Sequence, residues 1–207
     1  MFAKQMAGKL AICAMGFGAI TAQAALFTLD FEGVGNQVAI LDFYNGGNDG
    51  AGNSGTNFGV RFGSNTLGII DQDAGGTGNF GNEPTPDTVM FFLTGSAVLN
   101  YAPGFVDGFS FYYTTSLPAS VKVYDGLDAT GNLLGSNSLS RNIDGCTGDP
   151  SGTFCNWDIG SLAFAGTAKS IDFGGTVNQV GFDNITFGSI DPNQGGGNNA
   201  PEPASLA

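Results

Sequence analysis

Glycine constrains this chain more than any other residue. There are 35 in 207 positions, spread along the whole length. Each one inside a helix costs about 1 kcal/mol relative to alanine, so a helical fold is disfavoured nearly everywhere. What survives between the glycines is a series of short apolar runs with a period of two. Phe27, Leu29 and Phe31 alternate with Thr28, Asp30 and Glu32; Phe58, Val60 and Phe62 alternate with Gly59 and Arg61; Val121 and Val123 alternate with Lys122 and Tyr124. Residues 89–93 are apolar on both faces, and Ile171 and Phe173 flank Asp172. Phe105, Asp107, Phe109, Phe111 and Tyr113 read as one face of a single strand, and Val180 to Phe187 as the last strand. Runs of strand length bounded by Gly, Asn and Asp predict about ten strands and an all-β fold, a two-sheet antiparallel β-sandwich in a single domain.

The ends read differently. Residues 1–24 have the plan of a secretory leader: Lys4 and Lys9, an apolar stretch at 10–20, and Ala22-Gln23-Ala24 as a cleavage site. Cys13 follows Ile12 in mid-stretch, which is not a lipoprotein context. The chain is therefore expected to be exported, with the folded domain over 25–189. Residues 190–200, with Gly195-Gly196-Gly197-Asn198-Asn199, read as a linker. Asn45 to Gly55 reads as a long flexible loop, too polar and too glycine-rich to pack.

Composition excludes several chemistries. The chain has no histidine, which removes His-based triads, dyads and zinc sites. Beyond the leader, six cations become four against 18 acids, a net charge of −14. Nucleic acid and anionic membrane surfaces are not expected partners for such a chain. Two cysteines remain, Cys146 and Cys155, and an even pair in an exported protein predicts a disulfide. No pair of the 18 acids has a spacing that singles it out for catalysis, so an enzyme is not expected.

After the linker stands Pro201-Glu202-Pro203-Ala204-Ser205-Leu206-Ala207. This resembles the start of the PEP-CTERM sorting signal. The resemblance implies exosortase-type processing in a Gram-negative bacterium and an association with exopolysaccharide. The family's signal continues into a transmembrane helix and an Arg-rich end, neither of which is present here, so no membrane insertion is expected of this chain as given. The body also resembles the β-sandwich domains of that family, through Asn57-Phe58-Gly59-Val60-Arg61-Phe62, Phe109-Ser110-Phe111-Tyr112-Tyr113, Val121-Lys122-Val123-Tyr124-Asp125-Gly126 and Gly181-Phe182-Asp183-Asn184-Ile185-Thr186-Phe187-Gly188. The pairing of Asp30-Phe31-Glu32 with Asp183-Asn184-Ile185 is similar to jelly-roll adhesion and carbohydrate-binding domains. There the first and last strands are neighbours, and acids beside them hold structural calcium.

These readings give two candidate sites. Calcium takes oxygen ligands, and Glu32, Asp183 and Asn184 are the first candidates, with Asp71 and Asp73 second. Sugar binding would use exposed aromatics with Asp and Asn beside them. Trp157, Tyr124 and Tyr112 are the candidates, the two tyrosines because they alternate out of phase with the apolar faces of their strands. The leading expectation is a non-enzymatic cell-surface or matrix protein associated with exopolysaccharide. The alternatives are a calcium-dependent lectin-like module and a filament subunit assembled through edge strands.

Overall fold

A computed structural model describes residues 26–145 and 152–194. The expected leader, Cys146 and the motif Pro201, Glu202 and Pro203 lie outside them. In chain order the strands are β1 (Phe27–Leu29), β2 (Val38–Ala39), β3 (Val60–Phe62), β4 (Thr66–Ile70), β5 (Thr88–Phe92) and β6 (Ala97–Phe105). Then come β7 (Gly108–Thr115), β8 (Ala119–Tyr124), β9 (Leu133–Leu139), β10 (Asp158–Ala163), β11 (Ala168–Gly174) and β12 (Val180–Phe187). The helical content of the described residues is one 3₁₀ turn, Pro192–Gln194.

The strands form two antiparallel sheets. The larger runs β10-β7-β12-β5-β4-β2, with β1 also paired to β12; the smaller runs β3-β6-β11-β8-β9. The fold is thus the expected all-β sandwich. First and last strands are neighbours, with Phe27 opposite Phe187 and Leu29 opposite Ile185.

Phenylalanine fills the space between the sheets. Phe27, Phe105, Phe109, Phe111, Phe173, Phe182 and Phe187 are all fully buried. Phe27 stacks on Phe187 at 4.6 Å and on Phe58 at 4.8 Å, and Phe173 meets Phe182 from the opposite sheet at 4.9 Å. Each such ring pair adds about 0.5–1.5 kcal/mol beyond the burial of its area.

One expected strand proves to be two. The alternating run from Phe105 to Tyr113 is broken at Asp107, whose φ is 69°, and the chain crosses there from β6 in the small sheet to β7 in the large one. Phe105 and Phe109 both reach the core, edge to face at 6.1 Å. The period of two runs through the turn unbroken, which is why the sequence hides it. Gly108 is needed at this corner: a Cβ there would sit 2.8 Å from the carbonyl oxygen of Leu162.

The loop between β2 and β3 also differs from expectation. It forms no strand, yet it packs. Asp49, 5% exposed, accepts hydrogen bonds from the backbone amides of Gly35, Ala51 and Asn53, each at 2.8 Å, and from Asn53 Nδ2 at 3.0 Å. The folded region also runs past the expected edge at 189. Pro192 is buried, and its carbonyl oxygen accepts from Thr186 Oγ1. The 3₁₀ turn Pro192–Gln194, within the expected linker, lies against β7 and β12.

Candidate functional site

Three of the calcium candidates and two of the aromatic ones fall in two neighbouring places on the larger sheet. The first is a seam in β12. One edge of this strand pairs along β7, while the other is shared between β5, through Phe182 and Met90, and β1, through residues 185–187. Where the partner changes, backbone amides lose their ladder acceptors and need others. Two carboxylates supply them. Glu32 Oε1 accepts from the amides of Asp87 (3.1 Å) and Thr88 (2.9 Å). Asp183 accepts from the Thr85 amide (3.0 Å), the Thr85 hydroxyl (2.8 Å) and the Asn184 amide (2.7 Å).

A bulge aims Asp183 into this seam. Between Asp183 and Thr186, β12 carries one residue more than β7 does between Tyr112 and Ser110. Asn184 takes the left-handed conformation that absorbs it, with φ of 48°. The bulge keeps Phe182, Ile185 and Phe187 all in the core. Asp183 is fully buried, and burial pushes its carboxyl up to about 8, with the charge of Glu32 adding to the shift. Glu32 is raised by its own burial, against the amides of Asp87 and Thr88. Tyr44 joins the group: its hydroxyl accepts from the Phe31 amide at 2.7 Å and donates to Asp30 Oδ1 at 3.3 Å.

Of the calcium candidates, then, Glu32, Asp183 and Asn184 come together here. Asp71 directly follows β4, with its backbone amide bonded to the Asp87 carbonyl at 2.8 Å, and Asp73 lies exposed in the turn beyond. Oxygen donors suited to a hard cation are present in Glu32, Asp183, the Thr85 hydroxyl and the Asp30 carbonyl. Among the described residues, however, no three acidic or cysteine side chains gather as a metal-holding group.

The second place is an open groove of about 730 Å³ beside the seam. Tyr112 of β7 and Asn184 of the bulge line it, with Asn82 and Pro84 from the β4–β5 connection and Asn193 from the C-terminal 3₁₀ turn. The rest comes from two segments flanking the cysteine pair: Asn142 and Asp144 before it, and Cys155, Asn156, Trp157 and Asp158 after it. Asn156 Nδ2 donates to the Asp144 carbonyl at 2.8 Å, and Asn142 Nδ2 reaches the Asn156 carbonyl at 3.2 Å, so the flanks are tied together. Cys155 is buried and disulfide-bonded. Its expected partner Cys146 lies outside the described residues, so that pairing is a proposal.

Trp157 and Tyr112 are both half-buried and both held. The indole Nε1 donates to the Gly81 carbonyl at 3.1 Å, and Phe80 packs edge-on against the ring at 6.4 Å. The Tyr112 hydroxyl donates to Asn193 Oδ1 at 2.8 Å. Tyr124, chosen by the same alternation rule, does not join them. It lies in β8 of the smaller sheet, outside the groove. Alternation reports which face of a strand a residue takes, not which sheet the strand enters. Of the groove asparagines only Asn184 was singled out from sequence, and as a calcium ligand. For Asn142 and Asn156 the one available signal was position, close on either side of the cysteine pair.

No family model matches the chain, and no curated protein does. Solved structures similar to it include the K2 cleaved adhesin domain of Lys-gingipain, at 12% identity over 79% of this chain and 99% of that one, TM-score 0.48. Others are a family 6 carbohydrate-binding module (17% identity, 60% and 82% covered, TM-score 0.37) and a carbohydrate-binding module from Cellvibrio mixtus lichenase 5A (12% identity, 60% and 86% covered, TM-score 0.36). Likeness at this level carries no argument about what the chain binds.

Proposed function

We propose that this protein is an exported, non-catalytic surface or matrix domain that binds polysaccharide in the groove of the larger sheet. One observation carries the binding reading: Trp157 and Tyr112 meet five asparagines and two aspartates in a single groove of about 730 Å³. Asparagine offers both donors and an acceptor to sugar hydroxyls, and a fixed aromatic ring offers an apolar face to the C–H side of a pyranose. Export and the exopolysaccharide setting rest on the leader and on the PEP-CTERM resemblance. The filament reading has less support. Edge strands β2 and β3 are two and three residues long, and β9 and β10 meet through Asn137 Nδ2 and the Ser161 carbonyl at 2.9 Å.

Calcium at the seam is a second proposal, supported by the oxygen-only donor set around Glu32 and Asp183 and by the mutual repulsion a cation would relieve. One experiment addresses both. The full chain is passed over a panel of immobilised polysaccharides, with calcium and with EGTA. Retention on a polymer, lost in Trp157→Ala with the fold intact by circular dichroism, is the expected result. Retention that survives Trp157→Ala places binding elsewhere and ends the groove reading. Retention indifferent to EGTA and to Glu32→Gln removes calcium from binding.

A further inference from the structure

The charges of the molecule are divided between its two sheets. Four cations fall among the described residues. Arg61 of β3, Lys122 of β8 and Lys169 of β11 belong to the smaller sheet. The fourth, Arg141, stands at the groove's margin and is already paired with Asp144. Among the described residues no lysine or arginine lines the groove itself, whereas Asp144 and Asp158 do. The ion pair with Arg141 holds the Asp144 carboxyl below its usual range. Asp158 is exposed, and its Oδ2 accepts from a neutral group, Asn142 Nδ2, at 3.2 Å. Two carboxylates against one guanidinium leave the groove anionic, within a chain whose net charge is already negative.

From this we infer that the groove selects polysaccharides bearing free amino groups, such as partly deacetylated amino-sugar polymers, over neutral ones, and rejects uronic-acid polymers. The inference rests on the carbohydrate reading above and narrows it. A uronate in the groove would bring a further carboxylate beside Asp144 and Asp158 with no free cation to receive it, which is a repulsive contact. An ammonium group would meet Asp158 directly. The five groove asparagines fit the hydroxyl and acetamido groups that such polymers also carry. The groove is open to water, so the preference is modest and salt-sensitive.

The test is calorimetric titration of the full chain with three oligosaccharides of equal length: a glucosamine oligomer, its N-acetylated counterpart and a galacturonic acid oligomer. The glucosamine oligomer is expected to bind about two- to fivefold more tightly than the acetylated one, the range exposed ion pairs supply. Asp158→Asn, an isosteric change at an exposed position, should close most of that gap, and raised salt should narrow it. The uronate should give no heat. Equal affinity for the first two, or binding of the uronate, overturns the inference and leaves the carbohydrate reading standing. A glucosamine preference that persists in both Asp158→Asn and Trp157→Ala belongs to the acidic surface at large and also overturns it. Silence from all three, with no retention on the polysaccharide panel, removes the carbohydrate reading and the inference with it.

Discussion

The outer faces of the two sheets have been put to different uses. On the smaller sheet, β8 alternates strictly between buried and half-buried residues, and Lys122 and Tyr124 face outward as they would on any half-solvated sheet. On the larger sheet, β5 is buried at every position, and β7 and β12 at all but one each. Thr88, Ser110, Thr114 and Thr186 are polar residues of its strands, yet all are buried. The cover consists of connecting segments and the C-terminal 3₁₀ turn, and these same segments wall the groove. Water no longer serves the hydroxyls of these strand residues: Thr186 Oγ1 donates to the carbonyls of Asn184 and Pro192, whereas those of Ser110 and Thr114 have no partner among the described residues. The backbone is served better: Glu32 and Asp183 accept amides at the seam, and Asn142 bonds the Thr115 amide and the Tyr113 carbonyl.

The contrast can be broken at three places. The largest effect should come from the shared core, where the two sheets are equivalent. Phe182→Ala and Phe173→Ala are each expected to lower stability by roughly 3–5 kcal/mol, read from urea denaturation midpoints. A markedly smaller loss from one of them would mean that the ring from that sheet is not locked against its partner. Next comes pH. Asp183 holds its proton up to about pH 8 when folded, whereas an unfolded aspartate releases it near pH 4. Between those values the folded state binds the extra proton, so stability falls as pH rises through the window. In EGTA the melting temperature should drop by several degrees from pH 5 to pH 8. Asp183→Asn should flatten that slope, and an unchanged slope in the variant would place its origin elsewhere. The smallest effect should be on the bare face: Lys122→Ala is expected to change stability by less than about 0.5 kcal/mol. A loss several times larger, measured the same way, would show that the smaller sheet is covered too.

The same contrast explains what could be read from the residues. Alternation announced β8 and β11 because one face of each meets water. The unbroken apolar run at 89–93 announced β5 because both of its faces are dry. Strands β9 and β10 gave no such signal: Leu133–Leu139 and Asp158–Ala163 are edge strands held largely by backbone pairing, with few buried side chains. At the site, Trp157 and Tyr112 stood out as aromatics against the grain of their surroundings. Asn82, Asn142, Asn156 and Asn193 did not, because single asparagines in connecting segments are ordinary turn chemistry. Only the closing of four distant segments over one sheet turns them into a wall. Glu32 and Asp183 were legible as a pair, but not the broken ladder they mend, since that depends on β12 changing partners in mid-strand.

The pairing of β1 with β12 also sets an order of events. Thr28 and Thr186 share a hydrogen bond at 2.8 Å across 158 residues of chain. A ribosome makes the first of them 158 residues before the second. Until β12 is made, β1 has no partner, and the core around Phe27 and Leu29 stays incomplete. Contacts of such separation form slowly and late. A domain of this topology stays unfinished until its final strand arrives, with its first strand exposed in the meantime.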